Sequence, residues 1–452
     1  MNLDNCFNLL YNIEVDLSTE RMKDMNILIK DIRALLPDGD GFSVKNTSVC
    51  ISGNKITGVG DVPEDFIPEK IIPGKDRLLI PGLSNCHTHA YMSLFRNIAD
   101  DLAFDDWLFG NILPLEDRIT KEDGLWGNLL ACIEMLRTGT TAYMDMGTFT
   151  CIAPEAAKMT GIRTVVSRGL VGEGRNEAGR VRLEAARAEM ERYADEPLVS
   201  FALAPHAIYT CDSEYLKIVS EEAKRLGVPI NIHLSESKKE YDDSVASFGK
   251  TPTAYLDSLG LFENKTIAAH CVWMTDEDCD IFARNGVYAV HDPKSNFKLA
   301  NGISPFLKMK ERGVRVCVGT DSAASNNTLN MFSEMNFISL IHKGVNGDCL
   351  AASATQVLKC AVETGAEALG TGGGRIEAGR TADLVVMNLD YPSMRPANNY
   401  VSALAYSASG YEVETVIVNG DIVLENGKCT KIDEEEVYYN VEKITERLRN
   451  GK

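Results

Sequence analysis

Eight short apolar segments alternate with amphipathic segments between residues 81 and 369, and this order limits the fold more than any other feature of the chain. The first precedes His87, and the others read TTAYMDMG, RTVVSRGL, LVSFALAPHA, PINIHLSE, TIAAHCV, VYAVHDP and RVCVGTDS. Intervening segments such as SEYLKIVSEEAKRLG have the apolar period of a helix. Strands that alternate with helices build a parallel sheet, which is either doubly wound or closed into a barrel. Polar residues at every strand end favour the closed form, so we predict a (β/α)₈ barrel over residues 81–369.

The two ends of the chain have a different character. Residues 49–59, VCISGNKITGV, alternate about Gly53-Asn54, which is a hairpin signal. Gly-rich, strand-like segments of the same kind return after residue 370. We therefore expect residues 1–80 and 370–430 to form one small β-sandwich domain together, and residues 431–452 to form a C-terminal helix. A chain of 452 residues has room for one barrel and one such domain.

The charge balance excludes one class of partner. The chain has 65 acidic and 46 basic residues, a net charge of −19, whereas nucleic-acid binding needs a basic surface. No apolar run approaches the roughly 18 residues of a membrane span, and the first residues do not resemble a signal peptide. None of the twelve cysteines forms a CxxC pair. We expect a cytoplasmic protein with free, buried thiols, including those of Cys86, Cys211, Cys271 and Cys317.

Histidines mark the ends of the predicted strands. A single histidine is more often a hydrogen-bonded structural residue than a ligand, but six of the seven occupy this one topological position. Since the carboxyl ends of barrel strands form one rim, we expect the six side chains to converge there. They are His87, His89, His206, His233, His270 and His291, whereas His342 falls in a helical stretch.

Part of this set has the composition of a metal site. His87 and His89 are two residues apart, so both can project from the same side of an extended strand. HxH is a weak signal alone, and it becomes stronger with His233 on the fifth strand and Asp321 on the eighth. Three imidazoles and one carboxylate suit Zn²⁺ with a position left for water, whose pKa the metal lowers. Fe²⁺ and Mn²⁺ accept the same ligands and remain alternatives.

Two further residues are candidates for proton transfer. Glu236 lies three residues after His233, just past the strand end, where a carboxyl can move a proton beside a metal. The alternative is a surface glutamate in the charged stretch SESKKEYDD. His270 is expected to orient the attacking water together with Asp321.

The motifs PGLSNCHTHA, NIHLSES, AAHC and GTDSAASNN resemble the amidohydrolase superfamily, in particular its branch of S-adenosylhomocysteine/5′-methylthioadenosine deaminases and related chlorohydrolases. The resemblance extends over nearly the whole chain. It implies that His87, His89, His233 and Asp321 bind the metal and that Glu236 and His270 handle protons. Two-metal relatives have a bridging lysine on the fourth strand, where this chain reads SFALAPHA, so one metal per subunit is implied.

The same resemblance implies a nucleoside pocket. Trp107 would pack on the purine and Glu116 would bind the ribose hydroxyls, although core packing and a helix surface are the alternatives for these two. Basic residues in so acidic a chain suit recognition of an amino-acid carboxylate, and one such arginine comes from a neighbouring subunit in the family, which implies a homo-oligomer. The residues implied to contact substrate are Trp107, Glu116, Arg168, Arg180, His206, Glu236, Ser325 and Asn346.

The expected reaction is hydrolytic deamination of an adenosine derivative, such as S-adenosylhomocysteine, 5′-methylthioadenosine or adenosine. A second hypothesis keeps the metal chemistry and changes the ring to guanine, 8-oxoguanine, cytosine, a pterin or a chloro-triazine. A third is a non-enzymatic scaffold, which would lack metal. The chain departs from its relatives at Asp292, where they usually have Cys or Asn, and this adds an acidic group expected near the pocket rim.

Overall fold

The computed structural model describes residues 25–450 and contains the predicted barrel. Eight parallel strands follow one another in chain order around it. The barrel closes where the last strand meets the first: Asp321 N donates to His87 O at 3.0 Å, and Asn85 Nδ2 donates to Thr320 Oγ1 at 2.8 Å. The doubly wound alternative is thereby excluded. The strands are β6 (Leu83–Thr88), β7 (Thr140–Gly147), β8 (Arg163–Leu170), β9 (Val199–Pro205), β10 (Ile230–Leu234), β11 (Thr266–His270), β12 (Tyr288–His291) and β13 (Arg315–Val318).

The barrel strands are buried on both faces, as expected when helices cover the outside of a parallel sheet. One face fills the barrel interior with side chains such as Met144, Val165, Ile267 and Val290. Successive side chains point to opposite faces, so the neighbouring residues face the helices.

Helices cover the barrel, and their ends are capped in the expected ways. Thr275 and Asp278 form a capping box at the beginning of α9, and Gly227 has φ +68° at the end of α6. The α-helices are α1 (Phe104–Trp107), α2 (Leu113–Glu116), α3 (Lys121–Arg137), α4 (Ile152–Thr160), α5 (Glu177–Arg192), α6 (Ser213–Leu226), α7 (Lys238–Phe248), α8 (Pro252–Ser258), α9 (Asp276–Asn285), α10 (Pro293–Lys298), α11 (Phe306–Glu311), α12 (Ala323–Asn326), α13 (Met331–Asn346), α14 (Ala354–Lys359), α15 (Gly365–Leu369), α16 (Tyr400–Tyr406) and α17 (Glu434–Arg449). Short 3₁₀ segments occupy Ala90–Phe95, Leu261–Glu263 and Pro392–Met394, and π-helical turns occupy Leu108–Ile112 and Cys360–Thr364.

A second sheet combines strands from both ends of the described chain, as predicted. Its nine strands are β1 (Asn26–Asp38), β2 (Gly41–Ser52), β3 (Lys55–Gly60), β4 (Lys70–Pro73), β5 (Arg77–Pro81), β14 (Leu384–Asn388), β15 (Val413–Val418), β16 (Asp421–Glu425) and β17 (Lys428–Cys429). The hairpin turn lies at Gly53-Asn54, between the paired Ser52 and Lys55. Leu384 and Val386 pack within the sheet's own core, while Val385 and Met387 pack in the main cluster with the barrel. The domain boundaries at residues 80 and 370 stay predictions.

The remaining bulk predictions concern thiols, the first residues and membranes. Cys86, Cys211, Cys271 and Cys317 are free and buried, as expected. The signal-peptide expectation concerns residues 1–24, which lie outside the described residues. Within residues 25–450, no helix has the length and apolar character required to cross a bilayer.

Candidate active site

Five histidine rings meet at the carboxyl-end rim of the barrel. His87 lies 5.0 Å from His89, 4.9 Å from His233 and 5.4 Å from His270, measured between ring centroids. His206 lies 4.7 Å from His233. Residues from five strand ends therefore surround one point. The strands are β6, β9, β10, β11 and β13, and Asp321 follows the last of them.

The predicted convergence is wrong for His291. This side chain faces the helix layer, because its neighbour Val290 faces the barrel interior and strand side chains alternate. There His291 Nε2 lies 3.0 Å from His342 Nε2, and both rings pack against Phe306. His291 and His342 form a separate buried pair.

The nitrogen and oxygen atoms at the rim have the spacing of a metal-ligand set. His89 Nε2 lies 3.3 Å from His233 Nε2 and 3.4 Å from Asp321 Oδ1, and His87 Nε2 lies 3.6 Å from the same Oδ1. Tetrahedral bonds of about 2.0–2.1 Å require ligand atoms roughly 3.3–3.4 Å apart. Both ring nitrogens of His87 are buried without a hydrogen-bond partner, which a metal bond would relieve at Nε2. These residues fit one divalent metal.

Hydrogen bonds and burial prepare the imidazoles as ligands. His89 Nδ1 donates to Met146 O at 2.7 Å, and His233 Nδ1 donates to His206 O at 3.1 Å. These bonds place the proton on Nδ1 and leave Nε2 with its lone pair, the form that binds metal. Burial lowers the pKa of His87 to about 4 and that of His233 well below its usual range, so both rings are neutral near pH 7.

Asp321 presents one oxygen to the histidines and the other to two hydroxyls. Ser295 Oγ and Ser325 Oγ each donate to Oδ2 at 2.6 Å, while Oδ1 faces His87 and His89. Burial opposes ionisation of Asp321, but the surrounding imidazoles lower its pKa well below the usual range. Asp321 is thus an oriented carboxylate.

Several strand ends adopt the left-handed backbone region, which non-glycine residues rarely occupy. Ser235, His270, Cys271 and Asp321 have φ of +51°, +72°, +48° and +57°. Such conformations cost about 1–3 kcal/mol each and persist where tertiary contacts hold them, most often at functional sites. Their concentration at this rim supports its assignment as the active site.

Glu236 and His270 lie together beside the ligand set. Glu236 Oε2 is 3.8 Å from His270 Nε2, and Glu236 is only 7% exposed, which excludes the surface alternative. Burial raises the pKa of Glu236, as a group that delivers a proton near neutral pH requires. His270 Nδ1 donates to Asn296 Oδ1 at 3.0 Å, so its Nε2 is the nitrogen that faces Glu236.

Asp292, expected near the pocket rim, lies next to the site residue His270 and is buried there. It is fully buried behind His270, whose backbone N–H donates to Asp292 Oδ2 at 3.0 Å. Burial raises the pKa of Asp292 well above its usual range. Its position follows from parity, because Val290 and Asp292 share the inward side of β12 and its extension.

Of the predicted nucleoside contacts, Glu116 lies near the rim and Trp107 packs in the main core. Glu116 Oε1 accepts from Tyr91 OH and from Thr148 Oγ1, both at 2.5 Å, and these partners follow His89 and strand β7. Trp107 is 7% exposed, and its Nε1 is buried without a hydrogen-bond partner. Its packing within the main core fits the core alternative, although the orphaned indole N–H is unusual for a core tryptophan.

Of four other predicted substrate contacts, the structure brings Ser325 to the candidate ligand set, whereas Arg168 faces the helices and Arg180 and Asn346 lie on helices. Arg168 faces the helix layer on the opposite side of β8 from Ser167, and its Nε and Nη1 are buried without a hydrogen-bond partner. Arg180 is exposed on α5 and pairs with Glu184 at 2.7 Å. Ser325 donates to Asp321, and Asn346 lies at the far end of α13, where its side chain donates to His342 O.

Sequence reasoning missed the residues that hold the reactive groups in place. Ser295, Asn296 and Asn301 contact Asp321, His270 and Glu236 respectively. Asp145 accepts from Ala90 N at 2.8 Å, next to the candidate ligand His89. VHDPKSN contained Ser295 and Asn296, but no periodicity or spacing distinguishes such residues from ordinary helix-end polar residues.

Comparison with known proteins identifies the family. The model of the amidohydrolase family matches residues 78–423. This chain belongs to the amidohydrolase family. The amidohydrolase is 43% identical over 431 residues to a 5-methylthioadenosine/S-adenosylhomocysteine deaminase of Caldanaerobacter subterraneus subsp. tengcongensis, and the match covers 94% of this chain and 99% of the relative. It is 40% identical over 400 residues to a 5′-deoxyadenosine deaminase of Methanococcus maripaludis, covering 87% and 94% of the two chains.

A solved structure agrees with the fold of this amidohydrolase over its length. An adenosine deaminase from Xanthomonas campestris with bound zinc superposes with a TM-score of 0.89 at 33% identity. The match covers 94% of this chain and 98% of the other. The superposition therefore includes both the barrel and the sheet formed from the two ends.

Proposed function

We propose that this amidohydrolase deaminates the adenine ring of adenosine derivatives by hydrolysis, with S-adenosylhomocysteine, 5′-methylthioadenosine and adenosine as substrates. The observation that carries the proposal is the pair Glu236–His270, buried 3.8 Å apart beside the histidine–aspartate ligand set. An acid and a base beside one metal suit addition of water to an aza-aromatic ring. The names of the relatives favour the adenosine ring over other rings.

We further propose that His87, His89, His233 and Asp321 hold one Zn²⁺ per subunit, for which Fe²⁺ and Mn²⁺ are the alternatives. When bound, such a metal lowers the pKa of a water ligand to about 7 and so supplies hydroxide near neutral pH. Zinc suits this set because neutral imidazoles and one carboxylate are its usual catalytic ligands. Metal analysis of the purified protein tests this assignment, and it also tests the scaffold hypothesis, which expects no stoichiometric metal.

The chain's own residues then account for each proton. Glu236 donates a proton to N1 of the ring, which makes C6 electrophilic while water adds there. Asp321 and His270 accept one proton of that water and pass it to the departing amino group. The C6–N6 bond breaks and ammonia leaves. The proton remaining on the new hydroxyl returns to Glu236 as the C6 carbonyl forms.

The nucleoside part of the substrate is assigned to Glu116 and Trp107, with His206 beside the ring. Two hydrogen bonds hold Glu116 through Oε1, an arrangement that presents the carboxylate to ribose hydroxyls. Arg168 and Arg180 remain the proposed partners of an amino-acid carboxylate. Arg180 is exposed, so its action on a neighbouring copy within a homo-oligomer is part of this proposal. Ser325 and Asn346 complete the proposed set of substrate contacts.

The decisive experiment measures ammonia release and ultraviolet spectra from the metal-loaded protein. The substrate panel contains S-adenosylhomocysteine, 5′-methylthioadenosine, adenosine, 5′-deoxyadenosine, adenine, guanine, cytosine and a chloro-triazine. We expect rapid turnover of the nucleosides and about 10²- to 10⁴-fold lower kcat in Glu236→Gln at equal metal content. Activity on a free base or triazine alone would refute the nucleoside assignment, and wild-type turnover by Glu236→Gln would refute its role.

The arginines have a separate test. Arg180→Met should reduce kcat/KM for S-adenosylhomocysteine, which has a carboxylate, and leave 5′-methylthioadenosine, which lacks one, unchanged. Light scattering on the same samples gives the oligomeric state. Equal activity of wild type and variant on both substrates would exclude the carboxylate contact. The cytoplasmic location stays a prediction.

A further inference from the structure

One short segment contacts all three side chains to which the proposed function assigns proton transfer. Residues 292–301 run from the end of β12 through α10 into the following loop. They include Asp292 and Asn296 at His270, Ser295 at Asp321, and Asn301 at Glu236. Because α10 and its loop lie directly behind the rim, a single element fixes the relative positions of three groups from three different strands.

Asn301 has the most direct influence on the proton carrier. Its Nδ2 donates to Glu236 Oε1 at 3.0 Å, and each of the two residues is 7% exposed. The main chain of Asn301 is itself held, because Trp273 Nε1 donates to Asn301 O at 2.9 Å and Asn301 N donates to Asn296 O at 2.8 Å. The amide therefore meets Glu236 from a fixed direction.

The backbone of Glu236 is fixed from the other side. Glu240 Oε1 accepts from Ser235 N at 3.1 Å, and Glu240 Oε2 accepts from Glu236 N at 2.8 Å. These bonds hold the turn in which Ser235 has φ +51°. With its main chain bound to Glu240 and one oxygen bound to Asn301, Glu236 keeps only Oε2 for chemistry, and this oxygen faces His270.

We propose that Asn301 is a positioning residue that confines the exchangeable proton of Glu236 to Oε2. An amide N–H can only donate, so the oxygen that accepts it serves poorly as the protonated oxygen of the carboxyl group. The carboxyl group thus holds its proton on the side of the substrate and His270 in a single orientation. The inference rests on the proposed function, in which Glu236 gives a proton to N1 of the ring and recovers one from the hydroxyl group that water adds at C6.

A double-mutant cycle distinguishes this role from a merely structural one. Asn301→Ala should lower kcat by about 10- to 100-fold, the usual effect of losing a hydrogen bond to a charged group, with KM and bound metal unchanged. In the Glu236→Gln background the same substitution should change kcat by less than twofold, because Asn301 acts only through the carboxyl group. Asn285→Ala is the matched control, since Asn285 is a half-buried asparagine on α9 that bonds Asp257 and lies outside the segment.

Two results would overturn the inference. One is a kcat of Asn301→Ala within twofold of wild type, and the other is an equal loss in the wild-type and Glu236→Gln backgrounds, which is the behaviour of general destabilisation. Crystal structures of wild type and Asn301→Ala give a readout without turnover: we expect the Glu236 carboxyl group to leave its position while the histidine set stays. A carboxyl group that stays in place in Asn301→Ala contradicts the inference, whichever ring the enzyme acts on. Inactivity of the wild type on the nucleosides counts only against the proposed function.

Discussion

The two hydroxyls on Asp321 give the sharpest quantitative prediction about the metal site. Ser295 Oγ and Ser325 Oγ each donate to Oδ2 at 2.6 Å, which directs Oδ1 toward His87 and His89. A hydrogen bond to a charged group contributes about 1.5–3 kcal/mol. At about 1.4 kcal/mol per tenfold change, loss of one bond should weaken metal binding roughly 10- to 100-fold, which is also the usual effect of removing a residue that orients a ligand.

The assay is competition for Zn²⁺ between the apoprotein and a chromophoric chelator at fixed pH. Ser295→Ala and the double variant Ser295→Ala/Ser325→Ala should bind progressively more weakly. Ser304→Ala is the matched control, because Ser304 is fully buried and donates at 2.9 Å to Cys271 O instead of to Asp321. Zinc affinity of Ser295→Ala within twofold of wild type, or an equal loss in Ser304→Ala, would refute the reasoning.

Three other predictions concern stability. Gly319→Ala places a Cβ 2.3 Å from Asp292 Oδ1 and should lower the free energy of unfolding by about 1–3 kcal/mol in urea titrations, whereas Gly344→Ala meets no atom within 4 Å and should leave it unchanged or raise it slightly. Hydrogen bonds from arginines of α6 and α5 lower the pKa of Glu222 to about 2. Ionised Glu222 therefore stabilises the folded state above the unfolded pKa near 4.5, and this stabilisation is lost as pH falls toward 2. Glu222→Gln should lower the free energy of unfolding by about 1–2 kcal/mol at pH 7 and by much less at pH 2.5. Removal of metal with a chelator should abolish ammonia release and lower Tm, both restored by added Zn²⁺, because a ligand that binds only the folded state stabilises it; an unchanged Tm would count against a bound metal.

Local patterns in the sequence were sufficient for the fold. Alternating strands and helices predicted the barrel, and the Gly53-Asn54 turn predicted the hairpin of the second sheet, because both depend on short-range periodicity and turn geometry. The HxH spacing and the position of Glu236 after His233 also describe local geometry. The structure brings these residues together as the spacing suggested.

Errors arose where the direction of one side chain decided the outcome. His291 follows a barrel strand as the site histidines do, yet it faces the helices, because a shift of one residue along a strand reverses the face. Asp292, expected near the pocket rim, is instead fully buried next to His270. At an irregular strand end, the face toward which a side chain points depends on the register with neighbouring strands. The local sequence does not encode this register.

The sequence by itself determined the order of elements, the residue types of the candidate metal site and the family, since these depend on residue type and on spacing within one segment. Only the tertiary structure decided which polar groups orient the reactive ones. Asn301 reaches Glu236 across 65 positions of chain, and Ser295 reaches Asp321 across 26. Such contacts exist only after the strands have closed into a barrel, and an asparagine or serine near a helix end has the same local pattern whether or not it holds a reactive carboxylate.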